Sequence, residues 1–140
     1  MPAGISLVAT DDPFAQQVWT APVQLLAVKP QQLDDVAAAA APVAGQPLLI
    51  SVLAGVSLAR LQHLFPGHRC VRAVPNTPAL VGAGLTALAW GEGIDEGQRD
   101  QVRQLFADVG EVLELTESKL DAFLALTSSG PAFVLSLIHI

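Results

Sequence analysis

The sequence predicts an α/β fold with a doubly wound, mostly parallel sheet, and three observations support this prediction. Short apolar runs recur along the 140 residues, several of them are almost continuously hydrophobic, and segments with helical periodicity lie between them. Strands covered on both faces have this composition, and the alternation of strand and helix requires crossover connections. The predicted strands are 5–10, 23–28, 47–53, 70–74, 85–90 and 111–115.

Helices are predicted between these strands from their first residues and their apolar faces. Pro30 opens an alanine-rich helix, and Ser57 can cap the next one. The clearest helix is 95–109, because Asp95 and Gln98 have the spacing of a capping box. Its apolar face consists of Val102, Leu105, Phe106 and Val109.

The pattern changes after residue 116, where helical periodicity replaces the alternation. One helical face carries Leu120, Phe123, Leu124 and Thr127. The sequence SSGP at 128–131 is expected to break this helix, and 132–140 to begin another apolar one. We therefore expect two units, an α/β domain over 1–116 and the beginning of a helical domain over 117–140.

Composition and charge exclude several classes of protein. The net charge is −6 and the seven basic residues are dispersed, so the sequence does not predict a nucleic-acid-binding surface. The single cysteine, Cys70, lies in an apolar run and is expected to be a buried thiol. No basic start precedes an apolar core, and no uninterrupted apolar run approaches ~18 residues, which favours a cytoplasmic protein without a membrane span.

Three strand ends carry the residues that point to a ligand site. They are Lys29-Pro30, Ala54-Gly55, and the rigid stretch from Pro75 to Pro78. Because the carboxyl ends of parallel strands emerge at one edge of a sheet, these three loops are expected to form one crevice. Each also has a purely structural explanation: a lysine reaching water, a glycine giving room to a helix, and Asn76 bonding its own turn.

Other chemistry is poorly represented in the sequence. The dinucleotide fingerprint G-x-G-x-x-G is absent, and Gly82-Ala-Gly84 is expected to be a turn. We find no spacing typical of a catalytic triad, a zinc site or a carboxylate pair. The three histidines, His63, His68 and His139, are expected to be solvated, and Ser128 and Ser129 to cap a helix.

Five segments, spread over most of the sequence, carry a family resemblance. These segments are LLAVKPQQLDDV, LISVLAGVSLARL, VRAVPNTPALVGAGLTALA, EGQRDQVRQLFADVGEV and KLDAFLALTSSGPAFV. Together they resemble pyrroline-5-carboxylate reductase over about residues 24 to 138. The resemblance implies a Rossmann domain that binds NADPH or NADH, followed by a helical domain that pairs subunits into homo-oligomers. It also implies that the family's glycine-rich loop, which lies before the AVKP segment, and most of the helical domain are missing here.

The resemblance assigns site residues by position. Those implied to bind the cofactor are Ala27, Val28, Lys29, Pro30, Val52, Leu53, Ala54, Gly55 and Asn76. Those implied to line the substrate pocket are Asn76, Thr77, Ser129 and Gly130. No side chain is singled out as a proton donor and no metal is implied. Asp11 and Asp12 would favour NADH if 5–10 is the second strand of the domain, and the choice of cofactor stays open.

The implied reaction is hydride transfer from a nicotinamide to the C=N carbon of 1-pyrroline-5-carboxylate, giving L-proline. Two alternatives stay open, a different NAD(P)-dependent reductase with a related helical tail, and a non-catalytic remnant that keeps only the fold and subunit contacts. We expect this chain alone to have impaired activity. We also expect Asn76→Ala, in an active parent enzyme, to lower turnover with little change in thermal stability.

Overall fold

A computed structural model describes residues 12–138 and contains a five-stranded sheet in the order β1-β2-β3-β4-β5. β1, β2 and β3 are parallel, β4 is antiparallel to β3, and β5 is parallel to β4. The mostly parallel α/β sheet is thereby confirmed. The strands are β1 (Val23–Leu26), β2 (Leu48–Ser51), β3 (Arg69–Val74), β4 (Gly84–Trp90) and β5 (Gly110–Glu114). The predicted strand 5–10 lies outside the described residues.

Short 3₁₀ segments and α-helices precede, connect and follow the strands. Short 3₁₀ segments lie at Pro13–Thr20, Pro30–Gln32, Thr77–Val81 and Glu117–Lys119. The α-helices are α1 (Leu33–Ala39), α2 (Leu58–Leu64), α3 (Glu96–Ala107), α4 (Leu120–Leu124) and α5 (Gly130–Ile138). The two predicted caps are present, since Ser57 Oγ accepts the Arg60 N–H at 3.2 Å and Asp95 Oδ1 accepts the Gln98 N–H at 2.9 Å.

Helices cover both faces of the sheet. On the first face α1, α2 and α4 pack against residues such as Leu49 and Cys70, while on the second face α3 packs against Ile50 and Val71. Adjacent strand residues therefore belong to opposite cores, which explains why the strand sequences are almost continuously apolar. Burial raises the pKa of the Cys70 thiol to about 11, so this cysteine is an inert core residue.

The expected helix break at SSGP is wrong. The chain stays helical from Glu117 to Ile138, and residues Ala125–Ser129 form a π-helical turn in which the Gly130 N–H donates to the Ala125 carbonyl. Pro131 has no N–H and its ring would crowd a regular α-helical turn, and the wider turn accommodates it. Ser128 and Ser129 therefore lie within a helix and do not cap one.

This helix is also unusually apolar. It has 22 residues and a mean hydropathy of 1.5 over its most apolar window, so by length and composition alone it could cross a membrane. Length and composition are weak evidence, because the core helix of a soluble protein passes the same test. Exposed apolar side chains along it are Leu126, Phe133, Val134, Leu135, Leu137 and Ile138.

The prediction for one histidine is wrong. His68 is 7% exposed and lies against the rings of Trp19 and Phe65, whereas His63 is exposed as expected. His139 lies outside the described residues. The local sequence PGHR suggests a surface turn, but the 3₁₀ helix Pro13–Thr20 folds over this turn and buries the imidazole.

Candidate functional site

The three predicted loops leave the same edge of the sheet. Leu26, Ser51 and Arg72 are level in the register of the parallel strands, so the segments after β1, β2 and β3 emerge side by side. The Val52 N–H donates to the Leu26 carbonyl at 3.1 Å and extends the pairing to the start of the loops. The predicted placement of the three loops at one edge of the sheet is thus confirmed.

The first loop, 27–30, presents a mixture of small and charged groups. Ala27, Lys29 and Pro30 are exposed, while Val28 packs against the first core. Lys29 has an extended backbone, and its N–H donates to Gln32 Oε1 at 3.2 Å, which ties the loop to the turn that begins α1. The loop therefore has a fixed backbone and an exposed cation at the edge of the sheet.

The second loop, 52–55, is anchored by its first half and open in its second. Leu53 is 4% exposed and packs in the first core, so its side chain is not available to a ligand, whereas the half-buried Val52 packs against the second core. Ala54 and Gly55 are exposed. Gly55 has a φ of +72°, a conformation that favours glycine, and it turns the chain into α2.

The third loop, 75–78, leads into the 3₁₀ turn Thr77–Val81. The Asn76 side chain reaches across this turn, and its Oδ1 accepts the Leu85 N–H at 2.8 Å. Asn76 is half-buried, whereas Thr77 and Pro78 are exposed. The bond joins the end of β3 to the start of β4, so Asn76 has a structural function in addition to any contact with a ligand.

This bond changes the expectation for Asn76→Ala. The variant leaves the Leu85 N–H without its acceptor, so we expect the free energy of unfolding to fall by about 1–3 kcal/mol, and not to stay unchanged. Chemical denaturation of the chain measures the change. Thr77→Ala, one residue further along and exposed, is the matched control and should change the stability little. Equal stabilities for the two variants would contradict this structural function.

A buried ion pair lies beneath the edge and was missed in the sequence. Arg72 shares the first face of β3 with Cys70 and Val74, and its side chain is 7% exposed. Its Nη1 donates to Glu117 Oε1 at 2.8 Å, and the same oxygen accepts the N–H of Leu58, the first residue of α2, at 2.7 Å. The arginine within the apolar run CVRAV was the available signal, because a buried arginine requires an acidic partner.

Among residues 12–138, no hydrogen bond joins Ser129 or Gly130 to any of the three loops. Ser129 is exposed and Gly130 half-buried, and both belong to the stretch where the π turn passes into α5. The neighbouring Ser128 Oγ is buried and has no hydrogen-bond partner. Thr127 Oγ1 donates to the Phe123 carbonyl at 2.8 Å, which fixes the start of the turn.

The second loop leaves open space at the edge of the sheet. Ala54 has a small side chain and Gly55 has none, and apart from the adjacent residues no atom lies within 4 Å of the position that a Gly55 Cβ would occupy. A flat ring can approach such a surface closely. The sequence has no G-x-G-x-x-G loop to surround a pyrophosphate. Among the described residues, no group of three or more His, Cys, Asp or Glu side chains could hold a metal ion.

The sequence relatives and the solved structures that resemble this chain agree with one another. No family model matches the chain. It is 50% identical over 117 residues to the pyrroline-5-carboxylate reductase of Synechocystis sp., covering 84% of this chain and 44% of the relative. A pyrroline-5-carboxylate reductase structure from Coxiella burnetii has a TM-score of 0.76 at 30% identity, covering 89% of this chain and 48% of that one.

A further structure, the pyrroline carboxylate reductase of Plasmodium falciparum with NADP bound, has a TM-score of 0.68 at 27% identity. The match covers 82% of this chain and 46% of that one. The chain thus spans a little under half the length of the relatives and structures that it matches.

Proposed function

Since this chain is homologous over most of its length to pyrroline-5-carboxylate reductases, we propose that it contributes part of a site that reduces 1-pyrroline-5-carboxylate to L-proline. The convergence of the loops after β1, β2 and β3 at one edge carries the proposal. Such an edge is where open α/β sheets bind their ligands. The proposed cofactor is NADPH or NADH, and the P. falciparum homologue with NADP bound supports this choice.

The cofactor would supply the hydride, and this chain would supply position and electrostatics. The exposed Ala27 and Ala54 would lie beside the nicotinamide end, with the backbone of Val28 and Pro30 on one side. Val52 and Leu53 can contribute backbone groups, because their side chains belong to the cores. Lys29 places a positive charge at the edge, where it would attract an anionic cofactor or substrate.

The substrate would lie on the other side of the nicotinamide. Asn76 and Thr77 at the end of β3, and Ser129 and Gly130 in the long helix, are the proposed pocket residues. The bond from Leu85 N–H to Asn76 Oδ1 holds the first pair in place before any ligand binds. Preorganisation of this kind is valuable because correct placement of the reactants can contribute ~7–11 kcal/mol to catalysis.

The long helix fits a proposed role as the start of a subunit-pairing domain. We place the domain boundary between residues 116 and 117, where β5 gives way to the helix that begins at Glu117. Its exposed apolar face has the composition of a surface covered in a larger assembly. A homo-oligomer in the cytoplasm is the corresponding proposal for the longer protein.

A chimeric enzyme tests whether these residues support the reaction. In the Synechocystis reductase, the matched segment is replaced by the corresponding residues of this chain, and NADPH or NADH oxidation is followed at 340 nm with product analysis for proline. We expect proline formation at a rate comparable with that of the parent. Formation of another product would favour the different reductase, and a folded chimera without turnover would favour the non-catalytic remnant.

Two alanines provide matched variants of the chimera. Ala54→Trp fills the proposed nicotinamide side of the crevice, and Ala44→Trp adds the same bulk to an exposed loop before β2, at the opposite edge. Only Ala54→Trp should raise the Kd for NADPH, measured by fluorescence titration, and neither variant should lower the thermal midpoint much. Equal cofactor affinities for the two variants would refute the position of the site.

The chain on its own is expected to bind the cofactor weakly and to show little turnover. Charge-assisted hydrogen bonds contribute ~1.5–3 kcal/mol each, so lacking two such bonds to the pyrophosphate weakens binding by about 100-fold or more. Calorimetric titration of the purified, folded chain with NADPH and with NADH measures this. Affinity equal to that of the Synechocystis enzyme would show that residues other than a glycine-rich loop hold the pyrophosphate.

A further inference from the structure

A buried histidine at the amino edge of the sheet lies far in the fold from the proposed crevice. His68 precedes β3, and its Nε2 lies 3.0 Å from Oε1 of Gln24 in β1. The Gln24 Nε2 donates to the carbonyls of Trp19 at 2.9 Å and Ala21 at 3.1 Å. Since these bonds fix the orientation of the Gln24 amide, its Oε1 must accept, and His68 Nε2 must carry the hydrogen.

The other ring nitrogen of His68 has no partner. Nδ1 is buried without a hydrogen bond, and the imidazole is 7% exposed between the rings of Phe65, at 5.7 Å, and Trp19, at 6.2 Å. The nearby Phe65 carbonyl already accepts the backbone N–H of His68 at 3.0 Å. Burial lowers the pKa of His68 and outweighs the opposing effect of the Phe65 carbonyl.

No acid is placed to balance a positive charge on this ring among the packing elements that the structure describes. The 3₁₀ helix Pro13–Thr20, β1 and the 40–47 loop contain no charged residue, and Asp12, which caps this helix, lies at the end remote from Trp19 and accepts the Phe14 N–H. The remaining neighbouring elements carry the following groups: His63 and Arg60 on α2, Arg69 and Arg72 on β3, and Asp34 and Asp35 in the first turn of α1. Both acids lie at the end of α1 remote from Ala39, and Asp34 is paired with Arg60 at 2.6 Å.

The same cluster holds the 3₁₀ helix Pro13–Thr20 against the sheet. The Trp19 ring stacks on Phe65 with centroids 6.0 Å apart, and the Trp19 carbonyl accepts a hydrogen bond from the side-chain amide of Gln24. Gln16 Nε2 contacts the Ala39 carbonyl at 3.4 Å and adds one long bond to these contacts. The attachment of this helix thus depends chiefly on Trp19, which depends in turn on the ring of His68 and its partner Gln24.

We propose that His68, Gln24, Trp19 and Phe65 form a pH-sensitive latch, closed while His68 is neutral and opened when His68 is protonated, which releases the 3₁₀ helix Pro13–Thr20 from the amino edge. In the open form the imidazole reaches water and takes up a proton at its ordinary pKa, which is higher than in the closed form. Acidification below about pH 6.5 therefore shifts the population from closed to open.

Tryptophan fluorescence tests the latch in the intact chain. In a Trp90→Phe background, Trp19 alone reports, and its quenching by acrylamide is measured from pH 8 to pH 5 together with far-ultraviolet circular dichroism. We expect quenching to increase on acidification while the signal of the sheet stays constant. His63→Gln, an exposed histidine on α2, should leave the transition unchanged, whereas His68→Gln should abolish it.

His68→Phe provides a second variant in case His68→Gln fails to fold. A phenyl ring keeps the packing against Trp19 and Phe65 but cannot be protonated, so the transition should disappear within the range studied. An opening caused by the titration of carboxylates would persist in both variants. A transition that persists in His68→Gln or in His68→Phe, or that coincides with loss of the sheet signal, would overturn the proposal.

Discussion

Glu117→Ala is expected to lower the free energy of unfolding by about 3 kcal/mol. The variant leaves the guanidinium of Arg72, 7% exposed, without its counter-charge and the Leu58 N–H without its acceptor. Removing one member of a buried ion pair costs ~3–5 kcal/mol, and the lower end applies here because the Glu117 side chain is 34% exposed. Urea denaturation followed by circular dichroism measures the loss.

Two variants make this result diagnostic. Glu117→Gln keeps an oxygen for both donors and loses the charge. Its free energy of unfolding should therefore lie between those of the parent and of Glu117→Ala. Asp34→Ala removes the exposed ion pair to Arg60 and should cost at most ~1 kcal/mol. If Glu117→Ala costs no more than Asp34→Ala, then water replaces the carboxylate at Arg72 and the buried pair does not hold α2 to the sheet.

Gly110→Ala is expected to destabilise the chain by about 3 kcal/mol or more, enough to prevent folding if the total stability is modest. A Cβ at residue 110 would lie 2.0 Å from the Gly84 carbonyl oxygen, in backbone that is paired between β4 and β5. The φ of +149° is also one that side chains rarely adopt. Neither problem is relieved by rotating a side chain, so the two strands must separate.

Gly97→Ala is the matched control for this substitution. Residue 97 lies in the first turn of α3, and its added Cβ would come no closer than 3.4 Å to Asp95 Oδ1. Alanine in a helix is favoured over glycine by up to ~1 kcal/mol, so Gly97→Ala should stabilise the chain slightly. The two variants should therefore shift the midpoint of urea denaturation in opposite directions. A Gly110→Ala chain that is soluble and as stable as the parent would contradict the geometry of the β4–β5 pair.

The sequence was sufficient to predict those features of the structure that depend on residues close to one another in the chain. The capping box of Asp95 and Gln98, the Ser57 cap and the end of β3 at Val74 all follow from local spacing and apolar runs. The predicted ends of β1 and β2 lie two residues beyond the observed ends at Leu26 and Ser51, because the apolar runs continue into the loops. Placement of the three loops at one edge required only the additional rule that crossover connections produce parallel strands.

The remaining features depend on contacts between distant parts of the chain. Glu117 and Arg72 are 45 residues apart, and His68 and Gln24 are 44 apart, so no local pattern indicates that either pair meets. Asn76 is an intermediate case, because its side chain bonds nine residues ahead, across a turn whose length the sequence does not define. The π turn was missed because proline normally ends a helix, and its accommodation depends on how the following turn widens.

The continuity of the helix from Glu117 to Ile138 has a mechanical consequence. At about 1.5 Å per residue, its 22 residues form a rod about 33 Å long. The rod is fixed at one end, where Glu117 joins Arg72 and the first residue of α2, and its other end is exposed. A force applied near Ile138 therefore acts as a torque about Glu117. Because Glu117 accepts the N–H of Leu58, this torque is transmitted to the start of α2, which follows the loop that contains Ala54 and Gly55.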